Sequence, residues 1–212
     1  KPRDGIDFFP LSVDYEERLY SVGKIPGSFM KREGKPSEKA ILTSRVVDRP
    51  IRPLFPKDMR NDVSVVMTVL AVDPDNSPEI TGMIATSIAL SISDIPWKGP
   101  IGGISVGLVE GEIVLNPTLK QREKNDLNLT IAASMDKIVM IEAGANQVPD
   151  ETMLEAIAKG HEEIKKIVAF ISDIQKEIGK PKFTFQSQEI PEDIFKEIYA
   201  FCADDVKVAL DT

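Results

Sequence analysis

One cysteine and one histidine occur in 212 residues, and each scarcity excludes a class of chemistry. With Cys202 alone no internal disulfide can form, which fits a reducing compartment and a cytoplasmic protein. His161 falls on the apolar stripe of a long helical pattern and reads as a core or helix-face residue, not a base. Cys/His zinc spacing is absent, and Asp73, Asp75 and Asp126 form no convincing carboxylate constellation. No apolar run approaches the roughly 18–20 residues of a membrane span, so no membrane partner is expected. Neither common glycine-rich phosphate fingerprint is present. The opening KPRDGIDFF has no apolar signal core. It begins on the approach to a strand, and we expect the polypeptide to start earlier.

What the sequence has is excess acid with one basic island. The formal net charge is −8, yet ten cations and four anions lie between Lys24 and Arg60, so that stretch carries +6 and the remainder −14. A basic island in an acidic chain is a local device for binding an anion. The overall charge argues against non-specific wrapping of nucleic acid, but not against a focused groove or ring.

Along the chain, residues 5–13 (GIDFFPLSV) predict a strand that ends or breaks near Pro10. Ser37 is an N-cap for a helix through residues 40–48, which cannot continue undisturbed past Pro50 and Pro53. Residues 61–73 (NDVSVVMTVLAVD) predict a strand buried on both faces. Ile80, Met83, Ile84, Ile88 and Ile92 predict a buried helix over residues 78–93. Two hairpins follow: residues 104–108 with 113–115 around Glu110-Gly111, and residues 127–133 with 138–143 around residues 135–137. Asp150–Ile178 reads as a long helix stopped by Gly179-Lys180-Pro181. From Lys182 the texture changes to an extended polar stretch and an acidic helix. The fold class is therefore α/β or α+β with a mixed sheet, and the expected division is 1–181 and 182–212.

Two features of the basic island have competing readings. Phe29, Met30, Lys31 and Arg32 sit in a loop bracketed by Gly23, Gly27 and Gly34. They form either a stacking and phosphate-clamping loop, where a base–aromatic stack is worth about 1–3 kcal/mol, or a loop anchored by two apolar residues with solvated charges. Arg45 and Arg49 share one helical face, joined by Arg52 if the helix survives Pro50. Adjacent guanidiniums repel unless an anion sits between them, and guanidinium forks phosphate oxygens. The alternative is pairing with Asp48, although one carboxylate cannot neutralise three arginines.

The string FFPLSVDYEERLYSVGKIPGSFMKREGKPSEKAILTSRVVDRPIRPLFP, continued by GPIGGISVGLVEGEIVLNPT, VMIEAGANQVPDETMLEAIAKGHEEIKK and GKPK, closely resembles the first ribonuclease-PH-like domain of bacterial polynucleotide phosphorylases. The resemblance covers essentially the whole chain. It implies a fold like the second domain of ribosomal protein S5. It also implies 3'-to-5' phosphorolysis of RNA to nucleoside diphosphates in mRNA degradation, reversible, with phosphate as co-substrate and magnesium as cofactor. Implied partners are single-stranded RNA, two further copies in a homotrimeric ring, a second ribonuclease-PH-like domain of the same chain, and proteins of RNA-degradation complexes. Residues 1–181 would be the first domain without its opening strands, and 182–212 the linker and start of an all-helical domain.

By the same resemblance, Phe29, Met30, Lys31 and Arg32 line the aperture that threads RNA, with Lys35 close behind and Arg45, Arg49 and Arg52 on the helix leading inward. The family has two aromatics and two arginines at the aperture; here Met30 and Lys31 depart, which predicts a weaker or less rigid grip. Active copies hold phosphate just before the buried helix, where this chain has Pro78-Glu79-Ile80-Thr81, and Glu79 would repel phosphate. Asn128 and Thr130 stand where a metal-binding aspartate and a lysine are expected. No catalytic or metal-binding residue is therefore expected here, and phosphorolysis would belong to the second domain. The alternative is an interaction scaffold for the trimer with no direct RNA role.

Overall fold

A computed structural model describes residues 5–27, 33–185, 187 and 191–210. Strand β1 is Leu11–Glu17, so the predicted strand over residues 5–13 is displaced. Pro10 has no N–H for a ladder, and pairing begins just beyond it. Leu11, Val13 and Tyr15 alternate inward against outward-facing Ser12 and Asp14. A 3₁₀ turn over Leu19–Val22 ends at Gly23, whose φ of 70° is left-handed.

Helix α1, Glu38–Ile51, starts on Ser37, whose hydroxyl accepts a hydrogen bond from the Ala40 N–H at 3.0 Å. The helix outruns the predicted residues 40–48 by three, with Pro50 buried inside its last turn, and as expected it does not continue undisturbed past that proline. A helical proline forfeits one N–H bond and crowds the preceding turn. Here that loss is confined to the last turn, since the chain tightens at once into a 3₁₀ turn over Arg52–Leu54.

Strand β2, Val63–Val69, runs parallel to β1, from Leu11 opposite Val63 to Glu17 opposite Val69. It is buried on one face, not two: Val63 and Met67 are buried while Val66 is 56% exposed. The strand pairs only with β1 in a two-stranded sheet, and among the described residues nothing covers its outer face.

Helix α2, Pro78–Ile92, carries proline in its first turn, where a missing N–H costs nothing. Strands β3 (Gly102–Val109) and β4 (Glu112–Leu115) join through Glu110 and Gly111, at φ 53° and 85°, the pair of positive values that a tight hairpin requires. A four-residue helix, α3 (Leu119–Arg122), precedes β5 (Leu127–Ala133) and β6 (Ile138–Ala145). These strands form an antiparallel sheet in the order β4-β3-β5-β6. Helix α4 spans Asp150–Ile178 as predicted. Helix α5, Glu192–Leu210, buries no residue.

The four-stranded sheet is covered on both faces. Ile104, Val106, Leu129 and Ile131 pack with Ala156, Ile164 and Val168 of α4. On the other face Ala132 and Met140 join Met83 of α2 and Ala40, Val47 and Ile51 of α1 in a second core that extends to β1 and β2. Consecutive glycines make this possible at one strand end: a Cβ on Gly102 would press on Ile164 at 3.0 Å, and one on Gly103 would strike the Met83 sulfur. The result is a mixed α/β fold, with α1 and α2 between the two sheets and α4 outside.

The chain after α4 is fastened to this body. The Lys182 ammonium donates to the carbonyls of Leu90, Ser91 and Ser93 at 2.9, 3.0 and 2.6 Å, capping the end of α2. Phe183 and Phe185 pack against the core shared by both sheets.

Candidate functional site

The antiparallel register sets Ser105, Thr130 and Glu142 in one row across β3, β5 and β6. Asn128, two residues along β5, shares that face. Because α4 takes the opposite face, the polar row looks toward α1 and α2. A cleft of about 580 Å³ lies between them, walled by Lys39, Leu42 and Val46 of α1 and by Ser77, Glu79 and Ile80 around the start of α2. Glu79, Asn128 and Thr130, far apart in sequence, are thus brought into one cleft.

Glu79 is held on all sides. It accepts hydrogen bonds from Lys39 at 2.7 Å and from the Ser77 hydroxyl, and its own backbone N–H reaches the same carboxylate. Burial pushes its pKa up, but the hydrogen bonds from Lys39 and Ser77 outweigh burial and hold it below the usual carboxylate range. The α2 N-terminus, where an anion would be welcome, is therefore occupied by a carboxylate of the chain itself. Lys39 also lies 4.0 Å from Glu17. Behind them the buried Tyr15 hydroxyl has no hydrogen-bond partner among the described residues, and burial, with Glu79 and Glu17 nearby, raises its pKa.

The three arginines do not act alike. Arg52 forks Asp48 at 2.7 and 3.0 Å and donates to the Leu11 carbonyl at 3.1 Å. Arg49 lies 3.6 Å from Glu142, exposed on both sides. Arg45 is exposed and has no partner among the described residues. Asp48 thus pairs with one arginine, Glu142 weakly engages the second, and the third has no partner among the described residues. Lys35 lines a separate depression of about 660 Å³ with Arg18, Glu33 and Ser37. Phe29, Met30, Lys31 and Arg32 lie outside the described residues.

The cleft does not suit a divalent cation. Both of its carboxylates are already met by a cation of the chain, Glu79 by Lys39 and Glu142 by Arg49. Among the described residues no group of three or more His, Cys, Asp or Glu side chains could hold a metal ion. No step through magnesium is derived from this chain. His161, half-buried on α4, has Nε2 3.2 Å from the Ser134 carbonyl and faces no cleft group.

Sequence reasoning did not single out Lys39, Ser105 or Glu142 as cleft residues. Glu142 had a visible signal, a lone carboxylate inside the otherwise uncharged strand IVMIEAGA. Lys39 and Ser105 had none, since their roles come from pairing across elements.

Comparison with known proteins agrees along the chain. Residues 1–96 match the family model described as 3' exoribonuclease family, domain 1, and residues 99–163 match domain 2 of that family. The chain is 65% identical over 209 residues to a polyribonucleotide nucleotidyltransferase of Ruminiclostridium cellulolyticum, covering 99% of the chain and 30% of that protein. It is 61% identical over 212 residues to the one of Clostridioides difficile, covering all of the chain and 30% of that protein. The chain thus spans about 30% of the length of these curated relatives. Among solved structures, rice (Oryza sativa) Rrp46 superposes with a TM-score of 0.65 over 83% of this chain and 79% of that one, at 16% identity, a likeness of fold alone.

Proposed function

The chain belongs to the 3' exoribonuclease family, and on that premise we propose that it is the RNA-guiding and ring-forming part of an enzyme that shortens RNA from the 3′ end by phosphorolysis. Phosphate is the co-substrate and nucleoside diphosphates are the products. The metal-assisted step belongs to a second ribonuclease-PH-like domain of the same protein, outside this chain. The proposal includes assembly as a homotrimer and a role in cytoplasmic mRNA turnover, in company with other RNA-degrading proteins.

The observation that carries the guiding role is Arg45: exposed, unpaired among the described residues, and one turn from the loosely engaged Arg49. A guanidinium without a carboxylate is available to a phosphate backbone. Phe29, Met30, Lys31, Arg32 and Lys35 extend this proposal toward the glycine-bracketed loop, and Arg52 supports it as the residue that fixes the end of α1. The non-catalytic role is supported by Glu79, which fills the position where an active copy would take phosphate, and by Asn128 and Thr130, which bring neither negative charge nor an amine.

The test is binding of the full-length protein to single-stranded RNA across a salt series. Arg45→Ala is expected to weaken binding and to make the slope of log K against log salt shallower by about 0.7. Unchanged affinity and slope would overturn the guiding role. Release of nucleoside diphosphate by the 212-residue chain given RNA, phosphate and magnesium would overturn the non-catalytic one.

A second reading, an assembly scaffold with no direct RNA role, is favoured by the pairs Arg52–Asp48 and Arg49–Glu142. It predicts that Arg45 meets a carboxylate of a neighbouring subunit, in which case its substitution changes assembly and not the salt slope.

A further inference from the structure

Just ahead of the basic island in sequence, Tyr20 stands on the 3₁₀ turn Leu19–Val22 with its ring 53% exposed. Its side chain makes no hydrogen bond and no ring contact among the described residues. The turn that carries it is nonetheless well tied. The Ser21 hydroxyl donates to the Arg18 carbonyl at 2.7 Å, and the N–H groups of Gly23 and Lys24 donate to the Tyr20 and Leu19 carbonyls at 3.0 Å. From beyond β2, the Val72 N–H donates to the Ser21 carbonyl at 3.3 Å. A ring held this way is presented to solvent on a fixed support and serves no core.

The same turn is fastened to the chain just after the glycine-bracketed loop. The Leu19 N–H donates to the Glu33 carboxylate, and Arg18 lies 3.9 Å from that carboxylate while donating to Glu16 at 2.6 Å. Glu33 follows directly on Arg32. The carboxylates around the turn are therefore engaged. Lys24 and Lys35, both exposed, have no side-chain partner among the described residues. Val22 and Val72 add exposed apolar surface at the turn. An apolar patch for a protein partner needs no surplus of cations. A single strand of nucleic acid uses both parts, a ring for the base and ammonium groups for the phosphates.

We propose that Tyr20 is a stacking platform for one base of the guided RNA strand, with Lys24 and Lys35 meeting the neighbouring phosphates. The inference rests on the guiding role and adds to it a residue that acts through its π face and carries no charge. Every base has such a face, so Tyr20 holds the strand without selecting its sequence. The ring is required and the hydroxyl is not. Because an uncharged ring displaces no counterions, its loss lowers affinity and leaves the salt slope where it was. Arg45 is expected to do the reverse to the slope, so the two readings fail separately.

The experiment is fluorescence anisotropy of the full-length protein with a short labelled oligoadenylate across a salt series, with phosphate and magnesium omitted so that the strand stays intact. Tyr20→Ala is expected to weaken binding about 5- to 100-fold at an unchanged slope of log K against log salt. Tyr20→Phe should stay within about twofold of the parent, since it keeps the π face. On an abasic strand of the same length, parent and Tyr20→Ala should bind alike. Unchanged affinity of Tyr20→Ala, an equal loss on the abasic strand, or a loss in Tyr20→Phe as large as in Tyr20→Ala would each overturn the proposal. So would a change of assembly state, read by size-exclusion chromatography, in place of a loss of affinity, because it would mark the ring as a protein contact. If Tyr20→Ala fails to fold, Tyr20→Leu, which keeps apolar bulk without a π face, takes its place in the same comparison.

Discussion

Lys39 on α1 donates to Glu79 on α2 at 2.7 Å, across the mouth of the cleft. The pair joins the first turns of two helices and places a carboxylate at a helix N-terminus that would otherwise attract an anion. It is both a strut between elements and a plug in the cleft.

The strut has a pH signature. Glu79 has a pKa below the usual carboxylate range, because hydrogen bonds from Lys39 and Ser77 outweigh its burial. A depressed carboxylate contributes stability above its unfolded pKa and loses that contribution as pH falls through its folded pKa. Lys39→Met is therefore expected to cost about 1 kcal/mol at neutral pH, modest because Lys39 is largely exposed. The gap should close as pH falls below the ordinary carboxylate range. Urea unfolding followed by the fluorescence of Trp97, the only tryptophan, measures both points; a gap that persists in acid would count against the assignment.

Two of the arginines separate stability from binding. Arg52 holds Asp48 and the Leu11 carbonyl, so Arg52→Ala should destabilise the chain by about 1 kcal/mol. Arg45 holds nothing among the described residues, and Arg45→Ala should stay within about 0.5 kcal/mol of the parent. Denaturant midpoints of the two variants, measured side by side, check the contrast. Equal losses would mean that Arg45 has a partner.

Tyr15 gives a prediction of the opposite sign. Its hydroxyl is buried without a partner among the described residues, and such a group is desolvated with no return. Tyr15→Phe is expected to be neutral or to stabilise by up to about 1 kcal/mol, read from thermal and urea unfolding. A loss well beyond about 1 kcal/mol would reveal a hydrogen bond at that hydroxyl.

Lys182 closes the end of α2 through three carbonyls. Burial lowers its pKa, opposed by Asp94. Hydrogen bonds from a charged donor contribute about 1.5–3 kcal/mol, so Lys182→Met should cost an amount in that range. Faster amide exchange in the last turn of α2 should accompany the loss. If that turn exchanges as before, the cap is not what holds it.

The sequence by itself determined the local elements whose patterns are unambiguous. The 3.6-residue stripe and glycine stop gave α4 its observed limits, Asp150 to Ile178, and Glu110-Gly111 specified its hairpin because few residues tolerate two successive positive φ angles. The family was also legible, since long ordered strings are specific. What only the tertiary structure decided depends on who sits beside whom. The apolar run in residues 61–73 looks doubly buried, but a strand with one neighbour is covered on one face, and no local pattern states how many neighbours a strand has. Pro50 ends a helix by local rule, yet core burial carries α1 through it to Ile51. The three arginines are equivalent by spacing, and carboxylates at Asp48 and on β6 sorted them into forked, loosely engaged and, among the described residues, unpaired. The cleft itself, with Glu79, Asn128, Thr130 and Glu142 in one place, exists only because antiparallel register and helix packing converge there, and neither is written in any one segment of the chain.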